Sequence, residues 1–228
     1  MIHPVTVLVW IALLAAGPAA PPAAGLVDVS GLDPRFRFDI RYATEDNFFG
    51  KKAYPEARCL LLREVADQII RVQTWLDQNH AGYTLMFKDC YRPEPIQRVL
   101  YDAVRGTKKA QYVANPDSRT GSIHSYGAAV DLTLSGPDGR EVDMGTPYDF
   151  LGKLAEPRYE QRFLKKGKLT RAQVQHRKIL RHAMIRGGGF TMIRNEWWHF
   201  NAAPAHRIRK KYRRLSVPFS AVPRPDSK

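Results

Sequence analysis

Apolar residues recur at intervals of three and four from Leu61 and Leu62 through Val65, Ile69 and Val72 to Leu76. That spacing puts them on one face of a helix and predicts an amphipathic helix over 61–76. Shorter apolar runs at 36–42, 83–88 and 128–134 predict strands, the last of them buried. Asp89-Cys-Tyr-Arg-Pro93 follows the second run, and its proline can open a helix continued by Ile96, Val99, Leu100 and Val104. Residues 174–184 again have helical spacing and stop at Gly187-Gly-Gly189, a C-terminal signal. Pro137-Asp-Gly-Arg140 marks a turn toward a short returning strand, and 190–200 reads as a final strand region. Residues 43–50, polar and aromatic, read as a loop near a pocket. Helices interleaved with strands and at least one hairpin predict an α+β domain with a largely antiparallel sheet.

The ends of the chain read differently from its middle. An apolar run over 5–16, followed by small residues and prolines, predicts a secretory leader over 1–24 and hence an exported, periplasmic protein. An uncleaved membrane anchor is the alternative. Residues 25–216 then form one domain with a substantial core, and 217–228 read as a frayed, flexible tail. A composition of 44% hydrophobic and 25% charged residues argues against disorder. The formal charge of +14, concentrated in 158–186 and 207–214, predicts attraction to anionic partners. For an exported chain these would be cell-wall polymers or membrane surfaces, with no specific nucleic acid expected, and the plainer reading is a solvated face. Cys59 and Cys90 flank the first helix and the following strand; in an oxidising compartment they would form a disulfide, the competing reading being two buried thiols.

The candidate chemistry lies in two short stretches. Ser122-Ile-His-Ser-Tyr-Gly-Ala-Ala-Val-Asp131 places His124 and Asp131 on either side of Gly127, where the backbone can turn sharply. Asn195-Glu-Trp-Trp-His-Phe200 offers His199 three positions after Glu196. His124, Asp131 and His199 make a set of three nitrogen and oxygen ligands of the kind that holds a single catalytic zinc while leaving a fourth position open. With two cysteines and no Cys-x-x-Cys, a closed structural site is disfavoured. Glu196 is then the candidate general base. On a flat strand Glu196 and His199 would face opposite sides, so this reading requires a bulge or tight turn within the run. The bland alternatives are surface histidines and a Trp pair that fills a core. Arg92 sits where a strand gives way to a helix, a position from which it could stabilise a developing oxyanion, although an ordinary surface arginine is the simpler reading.

Taken together, these residues resemble the zinc D-alanyl-D-alanine dipeptidases of peptidase family M15. The resemblance rests on Ser122-Ile-His124, Asp131-Leu-Thr-Leu134 and Glu196-Trp-Trp-His199. It extends to Arg41-Tyr-Ala-Thr-Glu-Asp-Asn-Phe48 with Gly50, Asp89 with Tyr91-Arg-Pro93, and Met144-Gly145 with Asp149-Phe150. It implies a Hedgehog-like zinc D,D-peptidase fold, with His124, Asp131 and His199 as zinc ligands, Glu196 as catalytic base and Arg92 as transition-state stabiliser. It further implies that Asp149 meets the substrate amino group and that Tyr42 and Ser122 line the pocket. The expected substrate is a small D,D-dipeptide cleaved during cell-wall turnover. The alternatives are a peptidoglycan D,D-carboxypeptidase or endopeptidase acting on muropeptides, and a wall-binding protein with structural zinc.

Overall fold

The computed structural model describes residues 25–225; the predicted leader lies outside the described residues. Its centre is a five-stranded sheet of β2 (Arg37–Phe38), β4 (Thr84–Asp89), β5 (Ala129–Ser135), β7 (His199–Asn201) and β6 (Thr191–Met192), in that spatial order. β2 runs parallel to β4 and every other pair is antiparallel, as the interleaved pattern leads one to expect. A separate antiparallel pair joins β1 (Leu26–Asp28) to β3 (Leu60–Leu62). β5 is buried along its whole length, which accounts for its continuous apolar character in sequence.

The first amphipathic pattern resolves into β3 followed by helix α1 (Arg63–Asn79), whose buried face is Val65, Ala66, Ile69, Val72 and Leu76. Pro93 precedes α2 (Glu94–Asp102). Short α3 (Glu160–Lys165) leads to α4 (Arg171–His182), opened by a capping box in which Thr170 and Gln173 each bond the other's backbone N–H. α4 continues into a π turn at Ala183–Gly187 that packs on α1. The glycine run serves this contact: a Cβ on Gly188 would lie 2.5 Å from Val72 Cγ2. A last helix, α5 (Ala205–Lys211), follows the sheet. Among the described residues no helix is long and apolar enough to cross a membrane.

Three local expectations are corrected. The predicted strand at 36–42 keeps only the two residues of β2, because the chain turns into a 3-10 helix at Arg41–Ala43. The returning strand after the 137–140 turn reduces to a single bridge between Ser135 and Glu141. The expected flexible tail is packed instead: Val217, Phe219 and Val222 are buried, Tyr91 Oη donates to Val217 O, and Arg58 donates to the carbonyls of Phe219, Val222 and Pro223. Arg58 is itself buried against Asp28, so that end of the chain satisfies donors that would otherwise lack partners. The hydrophobic-polar pattern could not reveal this, since the segment is held through its own carbonyls.

Candidate metal centre and the cleft around it

Cross-strand register assembles the centre. Asp131 on β5 is the direct neighbour of Asp89 on β4 and of His199 on β7, so one row across the sheet carries two of the candidate ligands and the carboxylate beside them. A register shift between Phe87 and Asp89 marks the end of β4, just before Arg92. His124 arrives from a 3-10 turn, Ile123–Tyr126, that ends at Gly127 with φ of 64°. A Cβ at Gly127 would sit 2.7 Å from Leu26 Cδ2, so the turn needs glycine for both its dihedral and its packing.

His124 Nε2, His199 Nδ1 and Asp131 Oδ1 converge at separations of 3.0, 2.9 and 3.2 Å. The outer ring nitrogens are already committed. His124 Nδ1–H donates to the Cys90 carbonyl at 2.7 Å, and His199 Nε2–H donates to Asn201 Oδ1 at 2.9 Å. In the tautomers fixed by those bonds, two nitrogen lone pairs and a carboxylate oxygen point at one another with no proton between them. A metal cation answers that convergence, and such outer-shell bonds are the usual means of aiming histidine ligands. The separations also suit a small ion: zinc bonds of about 2.0–2.1 Å at tetrahedral angles set ligand atoms roughly 3.3 Å apart. Burial opposes ionisation of Asp131; positive charge within the triangle, whether a proton on the histidines or a cation in its place, outweighs it and holds the carboxyl well below its ordinary range. Its other oxygen accepts from Tyr148 Oη at 3.1 Å.

Around this triangle lies a cleft of about 230 Å³ whose lining includes Tyr42, Arg92, Ser122, Asp149, Glu196, Trp198 and Arg209. Glu196 sits in the 193–198 loop between β6 and β7 rather than on a strand, which supplies the turn the sequence reading required. Its Oε2 is 4.0 Å from His199 Nδ1. Burial raises the Glu196 carboxyl to about 8; His199 opposes the shift, and Asp131 and Asp149 add to it. Such a group is poised to accept and return a proton near neutral pH.

Arg92 is buried rather than an ordinary surface arginine. Its Nε donates to Asp89 Oδ2 at 2.9 Å and its Nη1 to Gln97 Oε1 at 2.9 Å, while Nη2 reaches the same Asp89 oxygen and lies 3.7 Å from Asp131 Oδ2. Asp89 is in turn fixed through its other oxygen, which accepts from Tyr54 Oη at 2.6 Å and from the Cys90 N–H at 2.8 Å. The guanidinium stacks over the Tyr42 ring, 5.0 Å from its centroid. One N–H of each terminal nitrogen makes no hydrogen bond to a described residue.

Asp149 adopts φ of 61°, the left-handed region, among the described residues the one non-glycine to do so. Arg177 donates to the carbonyls of Met144 and Leu154, and Trp197 Nε1 donates to Thr146 Oγ1, so the loop carrying Asp149 is held on several sides. Its Oδ2 is sealed from solvent and has no partner among the described residues. Burial, reinforced by Asp131, raises this carboxyl to about 8. Trp198 is buried against Tyr148 and lines the cleft, so it both fills the core and walls the site, while Trp197 is buried.

All eight residues singled out from the sequence thus line one cleft, and Cys59 and Cys90 are disulfide-bonded directly behind it. Sequence reasoning gave no role to Asp89, Gln97, Tyr148, Asn201 or the Cys90 carbonyl. Of these, Asn201 carried a usable signal, since alternate strand residues share a face and it stands two positions beyond His199.

The D-Ala-D-Ala dipeptidase family model, Peptidase_M15, matches residues 22–218. D-alanyl-D-alanine dipeptidase of Escherichia coli K12 is 32% identical over 180 residues, covering 79% of this chain and 86% of that protein. The Enterococcus faecalis V583 protein of the same name is 30% identical, covering 72% and 84%. That of Streptomyces coelicolor is 30% identical, covering 75% and 86%. With most of the chain matched, and a His-Asp-His triangle, a buried glutamate and a clamped arginine around one cleft, this protein belongs to the D-Ala-D-Ala dipeptidase family of M15 peptidases.

Proposed function

We propose that this protein is a zinc-dependent dipeptidase that hydrolyses D-alanyl-D-alanine, or a closely similar small D,D-dipeptide, to its free amino acids. The observation that carries the reading is the Asp149 carboxyl in the lining of the same cleft as the three converging ligand atoms, its Oδ2 without a hydrogen-bond partner among the described residues. A buried carboxylate oxygen without a donor is costly, and a substrate ammonium supplies both charge and hydrogen bonds. This supports a substrate with a free amino terminus over N-blocked or cross-linked wall peptides.

His124, Asp131 and His199 would hold the metal, which when bound supplies Lewis acidity to the scissile carbonyl and lowers the pKa of water to roughly 7. The chain's own groups carry the rest. Glu196 takes a proton from the attacking water as its oxygen bonds to the carbonyl carbon. The same carboxyl returns that proton to the amine nitrogen as the C–N bond breaks, so atoms and charge balance. Arg92, held in place by Asp89 and Gln97, offers its free N–H groups to the negative charge developing on the carbonyl oxygen. Tyr42 and Ser122 border the bound dipeptide.

The setting we infer is outside the cytoplasm, in turnover of cell-wall peptides. The apolar leader supports this, as does the Cys59–Cys90 bond, since disulfides persist mainly in oxidising compartments. Fractionation of the native host, with the mature protein found in the cytosol, would overturn that placement.

Activity is tested by D-alanine release from D-Ala-D-Ala and from its N-acetylated form, with and without a chelator. Chelator-sensitive release from the free dipeptide is expected, and preference for the acetylated form would instead indicate a wall carboxypeptidase. Glu196→Ala should lose about 10²- to 10⁴-fold in kcat while keeping its metal.

A further inference from the structure

The cleft lining includes two cationic side chains besides its histidines, Arg92 and Arg209. Arg92 is committed to Asp89 and Gln97. Arg209, on α5, is half-buried and makes one side-chain hydrogen bond among the described residues, from Nε to the Thr120 carbonyl at 3.2 Å. It forms no ion pair with any described residue. Its neighbour Arg214 behaves otherwise, since Nη1 of that side chain donates to Glu94 Oε1 at 2.6 Å and to Pro116 O at 3.2 Å. A guanidinium is therefore anchored through its inner nitrogen beside Thr120-Gly121-Ser122, the segment leading into His124, with both terminal nitrogens unspent.

We propose that Arg209 reads the α-carboxylate at the C-terminal end of the substrate. This deepens the dipeptidase reading and rests on it. The residue that leaves as a free amino acid carries one carboxylate, and once Arg92 is assigned to the reacting carbonyl, the lining holds one arginine to receive it. A planar fork of N–H donors matches a carboxylate. Asp149, ionised once a substrate ammonium takes the place of its proton, and Arg209, beside Thr120, would present opposite charges on separate segments of the wall, as a zwitterionic dipeptide requires. The cleft would then select by charge at both ends: a peptide continuing beyond the scissile residue, or ending in an amide, forfeits the Arg209 contact.

The test compares D-Ala-D-Ala with D-Ala-D-Ala amide, in the metal-loaded wild type and in Arg209→Gln and Arg209→Lys, each verified to melt at the wild-type temperature. For the wild type, kcat/KM should favour the free acid by about 10- to 100-fold, the scale of a hydrogen-bonded charge contact. Arg209→Gln should lose that factor on the acid, mostly through a raised KM, and stay within about threefold of wild type on the amide. Arg209→Lys should recover part of the preference. An Arg209→Gln enzyme that keeps the wild-type preference, or that weakens on both substrates alike, overturns the role of Arg209 and leaves the dipeptidase reading standing. Absence of wild-type turnover on both substrates overturns that reading and this assignment with it.

Discussion

Asp131 and His199 face each other across the β5–β7 ladder, and their Oδ1 and Nδ1 atoms lie 2.9 Å apart. Two of the three candidate ligands are thus fixed by backbone pairing on buried strands. A one-residue slip of register would turn the His199 side chain to the other face of the sheet and dismantle the centre. The third ligand depends on a glycine turn and one carbonyl, which makes the supporting bonds open to test.

Asn201 should tune metal affinity without touching the metal. It accepts the Nε2–H of His199 and so keeps the Nδ1 lone pair facing inward. Asn201→Leu removes the acceptor at similar size, and metal affinity measured against a competing chelator should fall about 10- to 100-fold. An unchanged affinity would show that packing alone orients the ring.

Asp89 should matter through Arg92. Its buried carboxylate accepts from Arg92, Tyr54 and the Cys90 N–H. Asp89→Ala leaves the guanidinium buried with its main counter-charge gone, a change that costs about 3–5 kcal/mol in comparable sites. Urea denaturation should show a loss of that order, together with a drop in kcat beyond any change in KM.

Asp149 sets a pH dependence of stability. In the unfolded chain its carboxyl ionises near 3.8, whereas in the folded protein burial holds the proton up to about 8. Between those values the folded state binds the extra proton, so this group's contribution to stability is full below about pH 4, declines as pH rises through the window and levels off above about 8. Asp149→Asn cannot ionise. In metal-free protein its melting temperature relative to wild type should therefore climb from pH 4 to pH 8, and a constant difference would contradict the buried-carboxyl reading.

The Cys59–Cys90 bond should couple redox state to the metal centre. Both cysteines are buried, and the Cys90 carbonyl holds His124 Nδ1–H at 2.7 Å. Closing a loop across a sequence separation of 31 contributes about 3–4 kcal/mol in the chain-entropy account. A Cys59→Ser/Cys90→Ser double variant should lose stability of that order and also bind metal more weakly; loss of stability alone would separate the bond from the site.

The sequence alone determined the elements that rest on local rules. Apolar spacing placed α1, α4 and the buried β5 because burial on one face, or on both, leaves a periodic trace. The candidate ligand set and the candidate base Glu196 were legible because metal chemistry restricts which side chains can serve, and Gly127 was legible because few residues tolerate its φ of 64°. Tertiary structure decided what depends on distant partners. The row of Asp89, Asp131 and His199 exists through strand register, a relation between residues 42 and 68 positions apart along the chain that no local pattern encodes. The packed segment at 217–225 is bound through its carbonyls to Arg58 and Tyr91, and carbonyls are the same in every residue. Arg209 read as one more cation in a basic run until the fold set it against Thr120 and left Arg214 paired with Glu94. What a charge does depends on which charges are near it, and proximity in space is what folding adds to the sequence.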